Sequence, residues 1–449
     1  MFFSVIVAVV VLTAPAIGQR SMVKPKSLQT YGDPMYADAV ILPKSSSDSA
    51  NVHVALRFNL ASLVFSKVNS IQENRGNFFS VIAMSVEARD AVGVVRQRVR
   101  YNDTVFVNSY EHLAESGQYH YGSVELALSS GQYTITIEPM ANRDQSQRKI
   151  VLPKTVIPKR EQRSNIAISC AFAQAATQEF DVLRPVVFNG NMPFPAGRVA
   201  VIATVPIAAK SRSYDVWIRQ QPYEEGDIHW WDGVDIHTTA TNQGALLALG
   251  AGEDINVRYG DAEADAGRSL VIPINASDVV PGRYLMTLVP QGTTDTLKYA
   301  FRVEWESMPL SLRSLSYALD VLAYICPEET LDSLRDADEV QQRERLMDWW
   351  RGRDQSKETA HNEHMAEYYR RVDKASYAYA TLKEPDGAFT DRGKVYILYG
   401  APTKIDRKTS KGGDQIETWI YTNSVRTVFA FAIEDGGQYR LTTVQPLRK

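Results

Sequence analysis

Two cysteines in 449 residues, Cys170 and Cys326, are too few to staple a small scaffold or to hold a metal through thiolates. They read as two separate buried thiols rather than a pair. Charge of one sign is missing too: 49 Lys and Arg stand against 52 Asp and Glu, a formal net charge of −3. Nucleic-acid binding needs a basic footprint, and this balance excludes it. Catalytic signatures are equally scarce, with no Gly-x-Ser-x-Gly elbow and no Walker loop to cradle phosphate. His361, His364 and Glu367 fall at i, i+3 and i+6, not at the i, i+4 histidine spacing of a zinc helix, and read as surface residues. Asp261, Glu263 and Asp265 alternate as calcium ligands do. However, Ala266 and Ile272 stand where such a loop needs Gly and Glu, which leaves an acidic turn. Neither a metal nor a cofactor is expected.

Long apolar runs are absent with one exception. Phe2 to Leu12 is an unbroken run of apolar and small residues, too short to span a bilayer, and followed by the small residues of Ala14 to Gly18. This pattern predicts a signal peptide over 1–18, cleavage before Gln19, and a periplasmic or extracellular protein. No later stretch is apolar enough for a transmembrane segment in the mature chain.

What remains is 44% hydrophobic and 22% charged, a globular balance. Val52, Val54, Leu56, Phe58 and Leu60 alternate with the period of a half-buried strand. Phe78 to Ala88, Val94 to Val105 and Gly131 to Ile137 add strand-like segments between polar turns. Together they predict an antiparallel sandwich over 19–155. Val151 to Arg163, with two prolines and a basic cluster, reads as a linker. Strand candidates at Arg198 to Ile207, Ser213 to Arg219, Arg268 to Ile274 and Gly282 to Val289 predict a second sandwich over 156–306. Both Gly131-Gln132-Tyr133 and Gly282-Arg283-Tyr284 open a strand after a tight turn. That is one element used twice, as in immunoglobulin-like sandwiches, with Tyr133 and Tyr284 as packing residues.

The period changes after Met308. Leu312, Leu315, Leu319 and Leu322 share a helical face, and Pro327-Glu328-Glu329 starts a second helix. A third ends in Trp349-Trp350, and a fourth runs from about Glu358 with Met365, Tyr369, Val372 and Tyr379 as its stripe. Period-two segments at Lys394 to Tyr399, Gln415 to Tyr421, Arg426 to Ile433 and Gln438 to Val444 then predict a four-stranded meander. The fold class is therefore mainly β: two immunoglobulin-like antiparallel sandwiches, each closing its own core, ahead of an α+β module over 307–449.

Gly387-Ala388-Phe389-Thr390-Asp391-Arg392-Gly393, followed by Lys394 to Pro402, resembles the signature of the GWxTD-domain proteins. Trp349-Trp350-Arg351-Gly352-Arg353-Asp354 resembles that family's aromatic segment ending in Arg-Asp. Asn362-Glu363 with Glu367 and Arg370 resembles its next helix. The resemblance covers roughly Phe301 to Leu447, and it departs from the pattern where Ala388 replaces Trp. It implies a bacterial, exported protein and names a class, not a reaction.

The residues alone permit a structural account of the loop. Gly387 and Gly393 would allow positive φ at both ends of a tight connection. Thr390 and Asp391 would bond local backbone donors, and Arg392 would pair with Glu363 or Glu367. The favoured expectation is a non-enzymatic interaction or scaffold protein with other envelope proteins as partners. The alternatives are a periplasmic hydrolase using Thr390, Asp391, Glu363 and Arg370, and a glycan-binding module stacking sugars on Trp230 and Trp231.

Overall fold

The computed structural model describes residues 33–44, 48–68, 75–109, 113, 117–140, 149–159, 170–204, 213–224, 233, 235–241, 245–250, 254–259, 269–275, 279–292, 294, 296–356, 359–409, 415–422, 425–434 and 437–447. The signal-peptide segment, Trp230, Trp231 and the Asp261 to Asp265 turn lie outside them.

The first module contains β1 (Met35–Pro43), β2 (Ser49–Asn59), β3 (Ser66–Lys67), β4 (Phe78–Asp90), β5 (Val95–Val107), β6 (Tyr119–Ser129), β7 (Gly131–Pro139), β8 (Ile150–Val151) and β9 (Thr155–Ile157). One sheet has the order β1-β2-β6. The other has β3-β4-β7-β8, with β5 on β4 and β9 on β7. Alternating residues of the two sheets, such as Val54, Leu56 and Leu126 against Met84, Val86 and Ile135, close a core of fully buried side chains. The expected linker is partly strand instead: Thr155, Val156 and Ile157 are buried and pair with Gly131 to Tyr133. Ile157, with Leu152 ahead of it, joins the first core, which a reading of prolines and charge could not anticipate.

The second module contains β10 (Cys170–Ala175), β11 (Val182–Pro185), β12 (Met192–Pro193), β13 (Val199–Thr204), β14 (Ser213–Gln220), β15 (Ile236–Thr241), β16 (Ala245–Leu249), β17 (Ile255–Tyr259), β18 (Ser269–Ile274), β19 (Gly282–Pro290) and β20 (Leu297–Glu304). A five-stranded sheet, β12-β20-β19-β14-β15, faces a layer that curls into a closed barrel, β10-β11-β17-β16-β18-β13. The repeated Gly-x-Tyr element is real. The Tyr133 hydroxyl donates to the Ser129 carbonyl at 3.0 Å, and Tyr284 donates to Val280 at 3.0 Å. Both bonds reach back four residues and pin the turn ahead of the strand, as tyrosine corners do.

In the first sheet, β1 and most of β2 are buried on both faces. Met35, Ala37 and Ile41 of β1 enter the first core, while Val40 and Leu42 enter the barrel with Ala173, Ile202 and Leu247. On β2 the expected half-buried pattern fails for the same reason: His53, Ala55 and Arg57, between the apolar positions, are buried as well. Polar and small residues on that second face hid the contact from a periodicity argument.

The third module packs α1 (Leu315–Leu322), α2 (Glu328–Arg335), α3 (Glu339–Arg351), α4 (Glu363–Ala378) and α5 (Asp391–Tyr399) beside the meander β21 (Lys404–Thr409), β22 (Gln415–Tyr421), β23 (Thr427–Glu434) and β24 (Gln438–Pro446), in that order. Two expectations change here. Lys394 to Tyr399 is helix, not strand, because Thr390 caps it, Asp391 opens its first turn, and Gly400 at φ 77° ends it. The first meander strand is β21, a largely exposed, charged edge with no apolar alternation to read. Nor does this module close a core of its own. One apolar cluster runs from Phe172 and Tyr214 through Trp305 and Tyr369 to Trp419 and Phe431, joining the second β module to the helices and meander. Cys170, half-buried, and Cys326, buried, are free thiols.

Candidate functional site

The signature loop is a chain of caps. Asp386 accepts from the Ala388 amide at 2.9 Å and starts a single 3-10 turn over Gly387–Phe389. Thr390 closes that turn and opens the next element. Its Oγ1 donates to the Gly387 carbonyl at 2.8 Å and accepts from the Gly393 amide at 3.1 Å. Thr390 is 7% exposed, so both bonds are shielded from water. Asp391 does not bond within the turn. Its Oδ2 accepts from the Leu441 amide at 2.8 Å, tying the start of α5 to β24.

Gly387 and Gly393 are needed for room and not for positive φ, which neither adopts. A Cβ on Gly387 would lie 2.2 Å from the Ala375 carbonyl oxygen, and one on Gly393 would lie 1.8 Å from the Gly387 oxygen. The loop is pressed onto the end of α4 so closely that only glycine fits. Ala388 is fully buried, and its carbonyl accepts from the Tyr324 hydroxyl at 3.0 Å. Phe389 meets Tyr317 and Tyr324 edge-on at 6.0 and 6.4 Å. The aromatic of this loop thus sits one residue later than in the family pattern.

Arg392 pairs with neither Glu363 nor Glu367. Its Nη1 lies 3.4 Å from Oε1 of Glu417 on β22, and its guanidinium lies 3.3 Å from the centre of the Tyr439 ring. Glu417 is 1% exposed and also accepts from Arg407 Nε at 2.7 Å and Trp419 Nε1 at 2.9 Å. Burial pushes its carboxyl up. The hydrogen bonds from Arg407 and Trp419 and the charge of Arg392 outweigh that and hold it below the usual carboxylate range. Glu417, Arg407 and Trp419 were missed in the sequence, although a signal existed. The alternation of Gln415 to Tyr421 puts Glu417 on the same inward face as Trp419 and Tyr421.

The supporting segments form a second cluster at the corner between α3 and α4. Asn362 caps α4 by accepting from Met365 at 2.8 Å, and it donates to the Trp350 carbonyl at 2.8 Å. Trp349 and Trp350 are buried and meet edge to face at 4.9 Å. The Arg353 guanidinium lies 3.6 Å over the Trp349 ring, and Asp354 accepts from Ser356 at 2.9 Å. Glu367 pairs with Arg370 at 3.0 Å and Arg371 at 2.8 Å, and Glu363 lies 3.7 Å from His361. His361 is packed edge-on against Phe194 and Trp305, each at 5.6 Å, and burial lowers its pKa.

The hydrolase set therefore does not converge. Glu363 opens α4 whereas the loop packs at Ala375, roughly 18 Å further along at 1.5 Å per residue. Arg370 is exposed and engaged by Glu367. Trp230 and Trp231 lie outside the described residues, so the aromatic patch has no geometry to weigh. A cleft of about 250 Å³ lies elsewhere, lined by Asp33, Met35, Lys149, Leu152 and Asn189 among others.

Residues 282–444 match the family model of the GWxTD domain. The match starts earlier than the Phe301 reached by the sequence resemblance and takes in the hairpin β19–β20, in keeping with the shared apolar cluster. No curated protein matches the chain. Among solved structures, a serine-rich repeat adhesion glycoprotein (Srr1) from Streptococcus agalactiae aligns with 10% identity over 60% of this chain and 97% of that one. Its TM-score of 0.11 is too low to carry an argument.

Proposed function

We propose that this chain, whose C-terminal part is a GWxTD domain, is an exported protein of the bacterial envelope with a non-enzymatic interaction or scaffold role. One observation carries the reading: the polar side chains of the signature are consumed by the fold. Thr390 caps two turns, Asp391 holds β24, and Arg392 serves a buried carboxylate. Groups that must bind substrate or shuttle protons need an open partner, and these have internal ones. Other envelope proteins are the expected partners.

Two measurements test this. The mass of the mature protein should lack about the first eighteen residues, and an intact Met1 in the cytosolic fraction would overturn export. Cross-linking in intact cells should give the same envelope-protein adducts for the wild type and for a folded Asp391→Asn variant. Hydrolytic turnover by the purified chain that disappears in that folded variant would overturn the non-enzymatic role.

A further inference from the structure

We infer that Arg57 and Glu306 form a lock that fixes the first β module to the entrance of the C-terminal module, so that the three modules move as one body. Arg57 projects from the second face of β2, away from the first core, and is 7% exposed. Its guanidinium lies 4.1 Å from the Tyr119 ring centre, 4.3 Å from Tyr36 and 5.3 Å from Phe188. The cation is therefore held in an aromatic cage built from two modules. Its Nη2 donates to Glu306 Oε1 at 2.5 Å, and the Tyr119 hydroxyl donates to the same oxygen at 2.8 Å. The pair is largely shielded, with side chains 9% and 13% exposed.

What Glu306 is attached to gives the contact its reach. It follows Trp305, which packs edge-on against Phe194 of the second β module and His361 at the start of α4. One dipeptide thus faces the first module with its carboxylate and the other two with its indole. The far side of the cage is fixed as well. Tyr36 stacks on Phe188 at 4.9 Å, and Asp38 accepts from the Phe188 and Gly190 amides, each at 2.5 Å. A buried pair of this kind adds little net stability over an apolar packing, but removing one partner strands the other charge out of water. Such a contact opposes any reorientation that would separate the modules.

The test is amide hydrogen exchange on the full chain with Arg57→Met, Glu306→Gln and the double variant. Either single variant should speed exchange about tenfold or more at Phe188 to Asn191 and at Glu306 to Met308, with β4, β13 and β22 unchanged. The double variant should exchange no faster than the singles, since both remove one interaction. If Arg57→Met fails to fold, Tyr119→Phe removes only the hydroxyl bond and should loosen the same segments to a smaller degree. Unchanged exchange at both segments, or strictly multiplicative single effects, would overturn the lock. A uniform rise across all three modules would also overturn it.

Discussion

Replacing Asp391 with Ala separates a structural signature from a functional one, because this carboxylate makes a single internal bond. Its Oδ2 accepts from the Leu441 amide on β24 at 2.8 Å in a part-buried setting. Truncation leaves that donor unpaired, which costs about 1–3 kcal/mol. Asp391 is also the acid in the first turn of α5, and losing a negative charge there costs about 0.3–1 kcal/mol more. The sum, roughly 1.3–4 kcal/mol, is a tenfold or larger change in the folding equilibrium. Asp391→Asn keeps an acceptor in place and should lose only the smaller part. Urea titration followed by tryptophan fluorescence reads both, since Trp419 lies on β22 of the same sheet, one strand removed from β24. The apolar cluster is continuous from Phe172 to Phe431, so the second β module should unfold in the same transition. An alanine variant as stable as its parent would refute the reasoning, because the bond to Leu441 would then contribute nothing.

Gly393→Ala should prevent the C-terminal module from folding, because its Cβ would meet the Gly387 oxygen at 1.8 Å; near-native circular dichroism with an unchanged urea midpoint would contradict this. Glu417 sets a pH dependence whose sign follows from its lowered folded pKa. Its stabilising contribution is present above the ordinary carboxylate value of 4.5 and is lost as pH falls through the folded value. Urea midpoints between about pH 3 and 7 should therefore fall on the acid side for the wild type, and less steeply for Glu417→Gln; parallel slopes would count against it.

Much of this architecture was legible because it rests on periodicity. The strands at Phe78, Gly131, Ser213 and Gly282 carry clean alternation, and the leucines of α1 mark one buried face. The misreading at Lys394 to Tyr399 came from reading period two into a short, mostly apolar segment, which suits a strand or a helix equally. The cap at Thr390 and the stop at Gly400 were the deciding letters. The loop glycines were recognisable as necessary, but only the geometry shows that they make room for backbone and do not supply positive φ. The partner of Arg392 could not be read locally, since Glu417 is 25 residues away and on another element. The double burial of β2 was hidden because its second face carries His53 and Arg57, residues that ordinarily signal solvent.

The central claim, that the signature residues hold the meander onto the helices, is tested most directly by native-state hydrogen exchange at the Leu441 and Gly393 amides. Both donate to signature side chains, Leu441 to Asp391 and Gly393 to Thr390. Protection at both sites should be close to that of the strand core at Trp419 and Phe431, with Leu441 losing it selectively in Asp391→Ala. Exchange at both amides as fast as in an open loop, in the unmodified protein, would contradict it and return Thr390 and Asp391 to the pool of groups free to serve a ligand.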